Sequence, residues 1–140
     1  MNLLRETVVG EARSWLGTPF KHQACVRGCG VGCGTFLIAV YSSVGIKTPA
    51  IDSLPFFTEQ WHLHEREERY LAILEQFARY VESPVAGDIA VFKMGRVYSH
   101  SAIVIDWPTV IHAHWKGGVE IADASKPPLK DRPIRFMTPF

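Results

Sequence analysis

The stretch "VGCGTFLIAVYSSVG", residues 31–45, decides how this chain is read. A glycine-rich approach ends in Cys33. An apolar run follows in which Phe36, Val40 and Val44 share one helical face, with Leu37 and Tyr41 beside them. Gly45 is a good stop. The spacing predicts a helix that opens at Cys33. A thiol there sits beside unpaired N–H groups and the positive end of the helix dipole, which favour thiolate over thiol. The same N–H groups can hold the oxyanion formed when a carbonyl is attacked. Gly32 and Gly34 leave room for a substrate to approach.

Upstream, Leu4, Val8, Ala12, Trp15 and Leu16 recur at helical spacing, and "LGTPF" ends that segment in a turn. From there to Gly32 the chain has no period and reads as loop. Downstream, "TPAIDSLPFF" is turn-rich. A third helix is expected over roughly 58–81, with Tyr70, Leu74, Phe77 and Val81 as its apolar stripe and "EREER" toward solvent. Beyond "SPVAGD" the pattern changes. "DIAVFKM", "SAIVID", "TVIHAHW" and "VEIAD" are short, β-branched and broken by Gly, Pro and Asp, the marks of an antiparallel sheet. Helices first and strands second predict an α+β arrangement in a single domain spanning 1–140.

Composition narrows the function classes. The chain has 140 residues, enough for one core, and 47% of them are hydrophobic, which argues against disorder. A net charge of +1 gives no electrostatic case for nucleic acid or an anionic membrane surface. No apolar run is long enough to span a bilayer. The opening "MNLLRETVVGEARSW" carries Glu6 and Glu11 and lacks the cationic-then-apolar order of a secretory signal.

All three cysteines, Cys25, Cys29 and Cys33, lie four positions apart. Zinc with His22 as a further ligand is one reading, although Cys-x3-Cys-x3-Cys is not a common zinc spacing. A Cys25–Cys29 disulfide is another. The plainest is that Cys25 and Cys29 are small hydrophobes or idle thiols. Only Cys33 has a position that suits a nucleophile, and it needs a base. The candidates are His22, His62, His64, His100, His112 and His114. His62 and His64 adjoin a charged run and read as solvated. His100 heads one apolar strand and His112 lies in the next, with "DWPT" as the hairpin turn between them. Cys, His and a group that orients the His form the thiol-peptidase arrangement. Side chains alternate along strands. A two-residue turn would set the two histidines on opposite faces, so sharing a face requires an odd-length loop or a bulge.

These pieces resemble the NlpC-type cell-wall cysteine peptidases, a family with a compact papain-like fold. The matching segments are "ARSWLGTPF", "VGCGTFLIAVYSSVG", "AGDIAVF", "SHSAIVI" and "VIHAHW", in the family's order and across nearly the whole chain. The resemblance implies N-terminal helices packed on a C-terminal antiparallel sheet. It implies Cys33 as nucleophile, His100 as general base and His112 as its orienting group. Substrate contacts are expected at Phe20, His22, Gly32, Gly34 and Ser99. It implies neither cofactor nor metal. The substrate would be the peptide stem of bacterial peptidoglycan, cut at the D-glutamyl–diaminopimelate bond. Two departures stand out. Gly32 and Gly34-Thr35 replace the family's Asp before and Ser-Gly after the nucleophile. Phe20 stands where many members carry a tyrosine whose hydroxyl serves the oxyanion region; His22 is a candidate substitute.

"HQACVRG", "CGTFL" and "WHLHEREERYLAIL" resemble members encoded in bacteriophage tail gene clusters and related particles. That implies synthesis in the bacterial cytoplasm without a signal peptide, association with a virion and its tail proteins, and action at the cell wall. The alternatives are a catalytically inactive structural tail component, an amidase or acyltransferase on the same fold, and a metal-binding module built on the cysteine triplet.

Overall fold

Asn2 starts the first helix. Its side-chain oxygen accepts from the N–H groups of Leu4 (2.8 Å) and Arg5 (3.4 Å), which satisfies donors that a helix start leaves open. In the computed structural model, which describes residues 2–140, this helix runs Leu3–Arg13 (α1) and buries Val8 and Ala12. The segment expected to be a featureless loop contains a minimal hairpin, Cys25–Val26 (β1) against Gly30–Val31 (β2), with Cys25 opposite Val31. Gly28 turns it at φ +79°. Two-residue strands are too short to show alternation in the sequence.

The second helix, Cys33–Ser43 (α2), opens at the cysteine as its spacing predicts. Gly32 has no side chain to cap it, so Thr35 does the work from inside. Its hydroxyl accepts from Gly32 N–H (2.9 Å) and donates to the Ala24 carbonyl (2.6 Å), tying the helix start to the hairpin. Thr35, Phe36, Leu37, Ile38, Val40 and Tyr41 are all buried, so α2 is a central helix wrapped on most sides rather than an amphipathic surface helix. The Tyr41 hydroxyl donates to Gly87 O (2.7 Å), and Arg5 pairs with buried Asp88 (2.7 Å), which fixes α1 and α2 to the turn before the sheet.

The single helix expected over 58–81 is a correction. The chain instead forms Trp61–His64 (α3), Arg69–Leu74 (α4) and a strand, Arg79–Val81 (β3). Glu65 leaves the helical region (φ −80°, ψ 155°), and "EREER" offers no apolar side chain to hold a continuous helix on the core. The break lets Trp61 and Tyr70 both pack inward, their rings stacked at 6.1 Å.

Ile89–Lys93 (β4), Tyr98–Asp106 (β5), Thr109–His114 (β6), Gly118–Asp123 (β7) and Ile134–Thr138 (β8) complete a six-stranded antiparallel sheet in the order β3-β8-β4-β5-β6-β7. One face, with Ile89, Val91, Ile103, Ile111 and Met137, packs on the helices. The other, with Ala90, Phe92, Ala102, Val104 and Val110, is covered by Ala124 and Leu129 from the segment between β7 and β8. The architecture is α+β, with N-terminal helices on a C-terminal antiparallel sheet. Among the described residues no helix is long and apolar enough to cross a membrane.

The β5–β6 hairpin contains the bulge that the parity argument demanded. Asp106 pairs with Thr109 around Trp107-Pro108, but Val104 pairs with Val110 and Ile103 with Ile111, so Ile105 is the extra residue. Carried back along the strands, this register puts His100 and His112 on one face as diagonal neighbours.

Candidate active site

Cys33 lines a cleft of about 990 Å³. The start of α2 forms one wall and the head of β5 another; the hairpin approach and α3–α4 form the rest. The β4–β5 register slips between Phe92 and Lys93, which leaves Ser99 unpaired opposite them. The resulting bend brings consecutive residues, Ser99 and His100, into the same cleft as Cys33. Phe20, His22, Gly32 and Gly34 line it too. The structure therefore brings the expected nucleophile, base and substrate contacts to the cleft wall, with His112 directly behind His100, whereas Cys25, Cys29, His64 and His114 lie outside the lining.

His100 Nε2 is 2.8 Å from His112 Nδ1, and His112 Nε2 is 3.0 Å from Glu120 Oε2. This chain of contacts sets the proton positions. A carboxylate only accepts, so His112 donates through Nε2–H and its Nδ1 must accept. His100 then donates through Nε2–H, and its Nδ1 keeps a lone pair. Glu120 thus fixes two tautomers in series and leaves His100 ready to take a proton. His114 does not back His100; it stacks on His112 at 5.3 Å and packs at a tilt against Trp115 at 3.9 Å.

The Cys33 sulfur makes other contacts at rest. Sγ donates to the Ser99 carbonyl (3.5 Å) and receives the Tyr70 hydroxyl (3.4 Å), which is 2.5 Å from Ser101 Oγ. No hydrogen bond joins Sγ to His100 among the described residues. Burial pushes the thiol up from its ordinary value, against the Tyr70 hydroxyl and the N–H groups of Ser101, Gly34 and Cys33 itself, which pull it down. Burial, with His112 and His114 beside it, holds His100 well below the ordinary imidazole value. Burial also lowers His112, while Glu120 raises it. The helix end's preference for thiolate is thus opposed by desolvation of the thiol, and both shifts favour the neutral thiol and the neutral imidazole.

The remaining nominees differ in their surroundings. His22 is anchored by the Phe57 carbonyl, 2.6 Å from Nε2. His62, read from sequence as solvated, is half-buried in the cleft and lowered by that burial, with His64 as a second cause. Cys25 is half-buried and reaches the Thr35 carbonyl at 3.8 Å; Cys29 is exposed in the hairpin turn. Sequence reasoning missed Tyr70, Ser101 and Glu120. Glu120 had a signal: the tight turn at "WKGG" pairs His112 with Glu120 across β6 and β7. Tyr70 appeared only as part of an apolar stripe.

No protein-family model matches the sequence, and no curated protein matches it. Solved structures do. A Bacillus cereus protein of the NlpC/P60 family matches 94% of this chain at TM-score 0.66 and 21% identity, over 39% of its own length. A Staphylococcus aureus protein of the NLP/P60 family, similar to a lipoprotein, matches 96% at TM-score 0.68 and 18% identity, over 41% of its length. The NlpC/p60 domain of the peptidoglycan hydrolase SagA matches 99% at TM-score 0.62 and 19% identity, over 98% of its length. The chain spans about two fifths of the Bacillus and Staphylococcus proteins and nearly all of the isolated SagA domain. The fold is the papain-like fold of NlpC/P60 domains.

Proposed function

We propose that this chain is a cysteine peptidase that hydrolyses an amide in the peptide stem of bacterial peptidoglycan, at the D-glutamyl–diaminopimelate bond. The observation that carries the reading is the convergence of a helix-start thiol and a tautomer-fixed His100–His112–Glu120 chain on one cleft. The solved NlpC/P60 structures, one of them a domain of a peptidoglycan hydrolase, support the choice of substrate.

In this mechanism the thiol turns from the Ser99 carbonyl toward His100 and gives its proton to Nδ1. Sulfur attacks the scissile carbonyl, and the free N–H groups at the start of α2 receive the oxyanion. His100 hands its proton to the leaving amine, leaving a thioester on Cys33. Water then gives a proton back to His100 as it adds to the thioester. The C–S bond breaks, and the electron pair returns to sulfur with that proton. Phe20 offers no hydroxyl to the oxyanion, so the backbone donors carry more of the charge. We further propose delivery by a phage tail or related particle, with tail proteins as partners and the cell wall as the place of action.

A second reading, an amidase or acyltransferase acting on a more apolar acyl group, draws support from the aromatic lining supplied by Phe20, Phe56, Phe57, Trp61 and Trp115. Digestion of purified sacculi with the protein, followed by mass identification of the fragments, tests both. New amino termini on diaminopimelate support the proposed bond. Intact stems refute it, and cuts elsewhere favour the second reading.

A further inference from the structure

We propose that Tyr70 is a further catalytic residue of this site: its hydroxyl, held by Ser101, is the side-chain donor that stabilises the sulfur anion of Cys33. The inference rests on the reading of Cys33 as nucleophile and adds a group that neither motif nor spacing nominated.

The geometry has three parts. Tyr70 Oη lies 3.4 Å from Cys33 Sγ and 2.5 Å from Ser101 Oγ. A phenol has one proton. When sulfur is the anion it can only accept, so Tyr70 donates to sulfur and Ser101 donates to Tyr70. The ring is held in place: it is buried, stacks on Trp61, and comes from a short helix whose Arg69 is tied to Glu65 and to the Phe56 carbonyl. The space it occupies depends on Gly34, the residue after the nucleophile. A Cβ there would sit 3.1 Å from Tyr70 Cε2 and 3.4 Å from the hydroxyl. A serine or alanine would crowd the ring that the glycine admits.

A buried phenol needs only one partner, and Ser101 would suffice for a structural tyrosine. The second contact, with the reacting sulfur, is what a structural role leaves unexplained. Negative charge gathers on sulfur twice in the proposed reaction, before attack and again when the C–S bond of the thioester breaks. Burial, and then the charge of Cys33, keep the Tyr70 proton in place well above the ordinary phenol range, so the group remains a donor. The titratable groups that share the cleft with Cys33 are Lys21, His22, Glu59, His62, Tyr70 and His100, with His112 and His114 behind. Of these only Tyr70 makes a hydrogen bond to Sγ.

The test is the pH dependence of iodoacetamide labelling at Cys33, followed by peptide mass so that Cys25 and Cys29 are read separately. Tyr70→Phe keeps the ring and removes the donor. Its labelling midpoint is expected to rise by about one pH unit, the worth of one hydrogen bond to a charged group. Hydrolysis of the stem peptide at neutral pH should fall about tenfold with it. Tyr80→Phe, which loses a hydroxyl on β3 away from the cleft, should move neither. Gly34→Ala, whose Cβ would press on the ring at 3.1 Å and shift it by a few tenths of an ångström while keeping the phenol, should raise the midpoint by less than Tyr70→Phe does, and should add little on top of it. A folded Tyr70→Phe protein with an unchanged midpoint overturns the proposal. If that variant does not fold, an unchanged midpoint in Gly34→Ala overturns it. Labelling needs no substrate, so the two failures separate. Hydrolysis that survives Cys33→Ala refutes the peptidase reading, whereas a dead Cys33→Ala with an unmoved midpoint in Tyr70→Phe refutes only the role of Tyr70.

Discussion

Glu120→Ala is expected to slow hydrolysis although Glu120 touches neither the nucleophile nor the base. Its carboxylate holds His112 as the Nε2–H tautomer, and His112 in turn holds His100 with a lone pair on Nδ1. Without it, His112 is free to carry its proton on Nδ1. His100 would then accept through Nε2 and present Nδ1–H to the thiol, the wrong way round for a base. The magnitude follows from what fixes the tautomer. A hydrogen bond to a charged group is worth about 1.5–3 kcal/mol. Glu120 is 38% exposed, so solvent screens part of this and about 1 kcal/mol is the better figure. That corresponds to roughly a fivefold loss of kcat. Loss of the carboxylate should also lower His112 further, since Glu120 is what raises it. Glu120→Gln separates positioning from charge: its amide oxygen can still accept from Nε2–H, so it should recover part of the rate. The assay is release of amine from a stem peptide across pH, with circular dichroism to verify folding. A folded Glu120→Ala enzyme with wild-type kcat and an unchanged pH profile would refute the tautomer argument, as would a Gln variant no better than Ala.

Cys33→Ala should abolish hydrolysis, while Cys25→Ala and Cys29→Ala retain most of it; an upstream variant that is dead yet folded would show that the bystander reading is wrong. The rate should be level across neutral pH, because His100 is held below the ordinary 6.5 and Cys33 above the ordinary 9.0. It should fall in acid as His100 takes up the proton it must be free to accept, and in alkali once the proton destined for the leaving amine is gone. A rate that shows no acid limb at any pH at which the protein stays folded would count against a Cys–His mechanism. Stability should fall in acid as well. His100 and His112 are depressed in the folded state, so the unfolded chain binds more protons once pH drops below about 6.5, and that contribution is lost progressively down to the folded values. Thermal melts from pH 7.5 to 5 should show Tm declining, and a constant Tm would contradict the burial of neutral imidazoles.

The sequence by itself determined what local pattern can encode. Helix α1 was legible from its 3.6 period, the start of α2 from the glycine-rich approach to Cys33 and the apolar run after it, and strands β4 to β7 as short β-branched runs between turn residues. Parity alone required a bulge or an odd loop for His100 and His112 to meet, and Ile105 supplies the bulge. Tertiary structure decided the rest. Strands β3 and β8 pair across the chain, Val81 with Phe136, and nothing local marks such a partner. The charged run at 65–69 left its helix without an apolar hold, so the chain broke there and turned Tyr70 onto the sulfur. Tyr70, Ser101 and Glu120 reach the site from α4, β5 and β7, separate elements that only folding brings together. The charge state of the thiol shows the limit most directly. The helix end, visible in sequence, favours the anion, but the depth of burial that opposes it is a property of everything packed around Cys33. Desolvation depends on that surrounding density, which no stretch of sequence contains.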